Sequence, residues 1–246
     1  ATKATFLAQG TRIVSYPNSA RTWPRAMFAD LGVQPRFSHA QAKPIKERPA
    51  EAMGDDMARY THRRILFLLR SPQDTAVSNY YEVTRRTRLW EGDLKAFLRH
   101  PGFGFARVLT FHMAWLAARD DFPLGFHFER YEEIRRSPVA ALLRMSHFLG
   151  VPFLSREEAE MVSEANRFEN LKRREESGEL FARFGDRFSP AVVGDPGERK
   201  VREGRIGGYR DKLDAEDIAY CDRLIEELGY GAFISRIGSH SPVAGA

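Results

Sequence analysis

Residues 16–23 read Tyr-Pro-Asn-Ser-Ala-Arg-Thr-Trp, and they lie between two stretches of different character. Before them, Thr11-Arg12-Ile13-Val14 has the pattern of a short strand; after them, Pro24 to Leu31 has that of a helix start. Small and hydroxylated residues at such a junction make a turn whose backbone N–H groups point at one place, beside the positive end of a helix, and so can hold an anion. The common phosphate loop, G-x-x-x-x-G-K-[ST], is absent here, because the stretch has no glycine and no lysine. A second junction of the same kind follows Ile65-Leu66-Phe67-Leu68-Leu69, an apolar run with the pattern of a strand covered on both faces. There Arg70 leaves the strand end, and Ser71, Pro72 and Asp74 supply an N-cap, a first-turn proline and an acid three residues after the cap. Two strand-to-helix turns, each carrying an arginine, describe a nucleotide-type anion site.

The elements that must position these turns follow from the periodicity of the rest. Residues 35–39 predict a second short strand, and 41–56 an exposed loop or ragged helix broken by Pro44, Pro49 and Gly54. Phe105 to Asp121 predicts a central apolar helix, and 124–132 another strand. Ser137-Pro138 opens a helix ending at Gly150, and the Ser155/Glu158 capping box opens one running to about Lys172. Residues 177–200 read as a mobile loop, Asp214 to Leu228 as a terminal amphipathic helix closed by Gly229, and 238–246 as a flexible tail. Alternating strands and helices predict an α/β fold, a single domain spanning 1–246 with its core over about 12–230. Its central parallel sheet would have about four or five strands flanked by helices, with ligands at the strands' carboxyl ends.

Composition narrows the function classes. With 43% hydrophobic and 29% charged residues the chain is of ordinary globular type, without an apolar run of membrane-spanning length or a start resembling a signal peptide. Cys221 is the one cysteine, so an intrachain disulfide and a cysteine zinc site are excluded, and a reducing, cytoplasmic setting is expected. The seven histidines show no metal-ligand spacing, so no metal is expected. A net charge of +5, with arginines clustered at 62–70, 85–88 and 199–210, invites nucleic acid, an anionic nucleotide or an acidic polymer. No aromatic-basic motif supports nucleic acid as a partner.

Three separated stretches together resemble the sulfotransferases that use 3′-phosphoadenosine-5′-phosphosulfate (PAPS). Tyr16, Pro17, Ser19, Thr22 and Trp23 fit that family's Y-P-[KR]-S-G-x-T-W; Arg70, Pro72, Asp74 and Ser78 fit R-x-P-x-D-x-x-x-S; Arg202, Gly204, Gly207 and Tyr209 fit R-x-G-x-x-G-x-[WY]. The segment from Arg130 to Pro152 is similar to the family's Y-E-D-L…P…F-L-G-[VL]-P, and the likeness spans about residues 12–228. The resemblance implies a P-loop-like architecture and transfer of a sulfuryl group from PAPS to a hydroxyl of a carbohydrate or other small molecule, leaving 3′-phosphoadenosine-5′-phosphate (PAP). It implies that the turn Asn18, Ser19, Ala20, Arg21 and Thr22 grips the 5′-phosphosulfate and that Trp23 and Phe168 contact adenine. By the same likeness Arg70, Ser78 and the Arg202-Glu203-Gly204 turn hold the 3′-phosphate, and His39, in Arg-Phe-Ser-His-Ala, stands where the family has its catalytic base.

The chain departs from the pattern where the family has a cation, because Asn18 stands for the lysine or arginine and Ala20 for the glycine. Sulfuryl transfer depends on positioning and on meeting the charge that grows on the leaving phosphate. Arg21 is therefore the expected replacement cation, and Arg25, one helical turn on, the next. Two alternatives stand beside this reading: a PAPS- or PAP-binding relative with weak or no catalysis, and a nucleotide-kinase-like P-loop protein. The sequence names neither the acceptor nor the oligomeric state, a homo-oligomer included.

Overall fold

The computed structural model describes residues 10–19, 21–40, 57–151, 153–188, 201 and 204–238, apart from the side chains of 186 and 187. Strand alternation decides the architecture. In β3 (Arg64–Leu69) Ile65, Phe67 and Leu69 enter one apolar cluster, while Leu66 and Leu68 enter another on the opposite face. β1 (Thr11–Ser15) divides the same way, Val14 to the first cluster and Ile13 to the second. A sheet apolar on both faces must be covered on both. With β2 (Arg36–Ser38) and β4 (Phe126–Arg130), these strands form one four-stranded sheet in the order β2-β1-β3-β4, parallel at every pairing.

The first face is covered by α2 (Pro72–Tyr81), α3 (Leu94–Arg99), α4 (Phe105–Ala117), α10 (Ala215–Glu227) and α11 (Tyr230–Ile237). The other is covered by α1 (Thr22–Asp30), α5 (Tyr131–Arg136), α6 (Pro138–Leu149), α7 (Arg156–Ala165), α8 (Phe168–Glu176) and α9 (Glu179–Phe184). Phe67 anchors the first face, with Phe111, Trp115 and Phe126 at 5.9–6.0 Å between ring centres.

Local signals hold where they were read. Ser71 accepts from the Asp74 amide, both halves of the Ser155/Glu158 capping box form, and Gly150 and Gly229 end their helices in the left-handed region. Three expectations are corrected by tertiary contacts. The helix expected to reach Lys172 breaks after Ala165, where buried Asn166 donates its side-chain amide to Asp30 (2.7 Å) and to the Val162 carbonyl (2.9 Å). The loop expected from 177 is instead α9 followed by a 3₁₀ turn, Gly185–Phe188, because Leu180 and Phe188 are buried in the second cluster. The helix expected to be terminal is followed by α11, whose Tyr230 packs into the first cluster. Residues 41–56, 189–200 and 239–246, on which other expectations fall, lie outside the described residues.

Candidate active site

Parallel pairing puts the carboxyl ends of all four strands on one edge of the sheet, and each is followed at once by a residue of interest. Tyr16 follows β1, His39 follows β2, Arg70 follows β3 and Tyr131 follows β4. The last three of these, together with residues from the Gly204–Tyr209 turn, border a cavity of about 380 Å³.

Tyr16 fixes the first turn. It is buried, packs edge-on against Phe111 at 5.4 Å, and its phenol is pushed up to about 12 by burial, with the Arg107 guanidinium opposing. Asn18 lies beyond it at φ 63°, in the left-handed region that asparagine tolerates better than most residues. Its side-chain Nδ2 donates to the side-chain Oδ1 of Asn79 at 3.1 Å, joining the turn to α2. Ser19 is fully buried, its hydroxyl 3.5 Å from that of Thr75, so of the expected first-turn residues it is Asn18, Arg21, Thr22 and Trp23 that line the cavity. Ala20 lies outside the described residues.

His39 reaches the same cavity from the neighbouring strand. Its Nδ1 bonds the Ser15 carbonyl at 3.1 Å, and since a carbonyl only accepts, Nδ1 carries the proton. Nε2 then keeps its lone pair, which the Arg21 guanidinium contacts. Arg25 is turned elsewhere and stacks on Phe37 at 4.3 Å.

The opposite end is organised by Asp74. This buried carboxylate, on the first turn of α2, accepts from the amides of Gly207 (2.8 Å) and Tyr209 (3.0 Å) and stands 3.8 Å from Arg70. It thereby ties the glycine-bearing turn to the β3–α2 junction across more than 130 residues of chain. Arg70 donates to the Arg205 carbonyl at 3.2 Å and lies 4.9 Å over the Tyr131 ring. The Tyr131 hydroxyl donates to the Gly204 carbonyl at 3.1 Å. Gly204, at φ 55°, admits no side chain: a Cβ would fall 2.4 Å from the Phe168 ring, which lies against it.

Trp23, Tyr131, Arg135 and Phe168 form the remaining wall. Trp23 meets Tyr131 edge-on at 6.3 Å, and the Arg135 guanidinium lies 5.5 Å from the Trp23 ring and 6.0 Å from the Phe168 ring. The structure thus brings together Asn18, Arg21, Thr22, Trp23, His39, Arg70, Ser78, Phe168 and Gly204, whereas Arg202 and Glu203 lie outside the described residues. Sequence reading missed the tying role of Asp74 and the presence of Arg135; the latter was signalled by its position four residues after Tyr131, on the same helical face. Among the described residues no group of three or more His, Cys, Asp or Glu could hold a metal ion, and no helix is long and apolar enough to cross a membrane.

Comparison with known proteins identifies the family and the fold. The family model described as the sulfotransferase domain matches residues 55–232, a span that contains the β3–α2 junction and the Gly204–Tyr209 turn and begins after His39. The chain is 26% identical over 261 residues to cytosolic sulfotransferase 16 of Arabidopsis thaliana, covering 87% of this chain and 74% of that protein. It is 22% identical over 258 residues to flavonol 3-sulfotransferase of Flaveria bidentis, covering 87% and 80%. The crystal structure of mouse sulfotransferase SULT7A1 complexed with PAP shares the fold at a TM-score of 0.61 and 16% identity, over 88% of this chain and 83% of that one. Retinol dehydratase in complex with androsterone and the inactive cofactor PAP does so at 0.61 and 17%, over 88% and 79%.

Proposed function

The chain belongs to the PAPS-dependent sulfotransferase family, and from that premise we propose that its cavity holds PAPS and passes the sulfuryl group to a hydroxyl of a small-molecule acceptor, a carbohydrate or another alcohol. Adenine lies against Trp23 and Phe168. The 3′-phosphate is held by Arg70, Ser78 and the turn at Gly204, with Arg202 and Glu203 expected beside it. The 5′-phosphosulfate is held by Thr22, Arg21 and the backbone of residues 18–22.

The observation that carries this reading is the contact between Arg21 and the Nε2 of His39 inside that cavity. In transfer, the bond from sulfur to the bridging phosphate oxygen breaks, and a bond forms from sulfur to the acceptor oxygen. The acceptor's proton goes to Nε2, whose lone pair is kept by the Nδ1–H bond to Ser15. PAP leaves with the electron pair. In the ligand-free protein Arg21 donates to that same lone pair; an arriving phosphosulfate is the stronger acceptor, so Arg21 turns to it and frees His39. One arginine would then both supply the charge that Asn18 lacks and unmask the base only when donor is present.

The test is a screen of alcohols, phenols and sugars with PAPS, read by mass gain of sulfate. His39→Ala lowers turnover by about a hundredfold or more with nucleotide affinity nearly intact. Arg21→Ala lowers kcat more than it weakens PAP, because its charge is needed most in the transition state. Normal turnover in Arg21→Ala would reject the relocated cation.

A further inference from the structure

The two rings assigned to adenine, Trp23 and Phe168, belong to an apolar part of the cavity. Leu171 and Val201 line it beside them, and all four share the second apolar cluster. Among the described residues, the charged side chain that meets both rings is Arg135, half-buried in the last turn of α5. Its guanidinium lies 5.5 Å from the Trp23 ring and 6.0 Å from the Phe168 ring, within the reach of cation–π attraction. Two stacked or edge-on rings keep their centres about 4.5–7 Å apart. The Arg135 guanidinium therefore stands at the same range from Trp23 and Phe168 as a base packed on them would.

The donors at this end of the cavity point the same way. A purine buried against two rings gives up water at its ring nitrogens, and an acceptor buried without a donor costs binding. Ring faces and aliphatic side chains supply no donor. The Tyr131 hydroxyl already donates to the Gly204 carbonyl. The Trp23 indole N–H is itself buried, away from the cavity surface. Arg70 is engaged with Asp74 and the Arg205 carbonyl. Arg135 has five N–H donors and a permanent charge, and among the described residues no hydrogen-bond acceptor meets it.

We propose that Arg135 reads the base of the donor nucleotide: held beside Trp23 and Phe168, its guanidinium donates to a ring nitrogen of adenine. The proposal rests on the reading of the cavity as a PAPS site. It gives that site a polar contact to the base, where the two rings give only apolar ones. Because the contact is made to the base, it serves nucleotides with and without a 3′-phosphate alike.

Titration calorimetry tests it with PAP, adenosine 5′-phosphate and the 1-deaza, 3-deaza and 7-deaza forms of PAP, in each of which one ring nitrogen is replaced by C–H. The proteins are wild type and Arg135→Ala, with ligand-free melting as the check on folding. Arg135→Met keeps the apolar stem against the rings and serves if the alanine variant does not fold. Arg135→Ala is expected to weaken PAP and adenosine 5′-phosphate by the same factor, about tenfold. One deaza form should bind wild type about tenfold more weakly than PAP does, and that difference should vanish in Arg135→Ala. Unchanged PAP binding would overturn the proposal, and a loss confined to PAP would do so by moving Arg135 to the 3′-phosphate. Equal losses with every deaza difference intact would also overturn it, leaving Arg135 as a support for the aromatic wall. If wild type does not bind PAP, the PAPS reading fails and takes the proposal with it; if wild type binds PAP and any of these three results appears, the proposal alone fails.

Discussion

Two groups of buried or half-buried charge lie at the β4 strand and its carboxyl end, and they are built on opposite principles. On β4 itself, Glu129 is fully buried and receives the Arg144 guanidinium at 2.7 and 2.8 Å and His127 Nε2 at 2.9 Å. Burial would raise this carboxyl, but the hydrogen bonds from Arg144 and His127 outweigh it and hold the group below the ordinary range. Past the strand end, Arg70 lies 4.9 Å over the Tyr131 ring and is only partly matched by Asp74 at 3.8 Å, and Arg135 lies 5.5 Å from the Trp23 ring, met by no described carboxylate. The contrast teaches how to tell scaffold from site: a buried charge with its counter-charge in place serves the fold, and a cavity-lining cation short of one is left for a ligand.

The largest effect that would sharpen this contrast is on stability. Glu129→Ala strands Arg144 and His127 and costs about 3–5 kcal/mol at neutral pH, read by denaturant unfolding. Arg135→Ala, with no counter-charge to strand, leaves ligand-free stability within about 0.5 kcal/mol. Equal losses would break the comparison. Because the folded pKa of Glu129 is depressed, its contribution is present above the unfolded value of about 4.3 and fades as pH falls through the folded one.

A smaller effect separates the same fold from pH. His112, on α4, is fully buried, bonds Tyr230 at 3.0 Å through Nδ1, and is lowered to about 3 by burial, with Arg130 adding to the fall. The unfolded chain therefore takes up a proton near pH 6.5 that the folded chain refuses. Stability is full above that value and falls as pH drops from about 6.5 toward 3, by about 2 kcal/mol at pH 5. Unfolding midpoints at pH 7.5 and 5 measure it, and His112→Gln flattens the slope; an unchanged slope would reject His112 as its source.

Smaller still is the effect of Ser78→Ala, which removes one hydroxyl from the cavity wall and is expected to weaken PAP by about 1 kcal/mol while leaving adenosine 5′-phosphate unaffected. A change of equal size for both nucleotides would move Ser78 out of the 3′-phosphate group.

Much of this was legible locally. The apolar run in β3, the Ser71-Pro72-Asp74 cap and the Ser155/Glu158 box are patterns within a few residues of each other, and each formed as read. Asp74 shows the limit: as a first-turn acid its local signal was a cap, but its carboxylate spends its capacity on Gly207 and Tyr209, far along the chain. Asn166 ends α7 through a bond to Asp30, again a partner no local window contains. Arg135 was passed over because the two rings it meets, Trp23 and Phe168, lie on other elements of the chain. Asn18 looked like a lost cation, and in space it is also a left-handed turn residue tied to Asn79.

The most direct measurement of the central claim is thermal unfolding with saturating nucleotide. A ligand that binds only the folded state adds RT ln(1 + [L]/Kd), about 2.7 kcal/mol at a hundredfold excess over Kd. For a chain of this size that is a rise in Tm of about 5–10 °C. PAP should produce this rise and ATP, without a 3′-phosphate for Arg70 and Ser78 to hold, a much smaller one. No shift with saturating PAP, or an equal shift with ATP, would contradict the assignment of this cavity to PAPS.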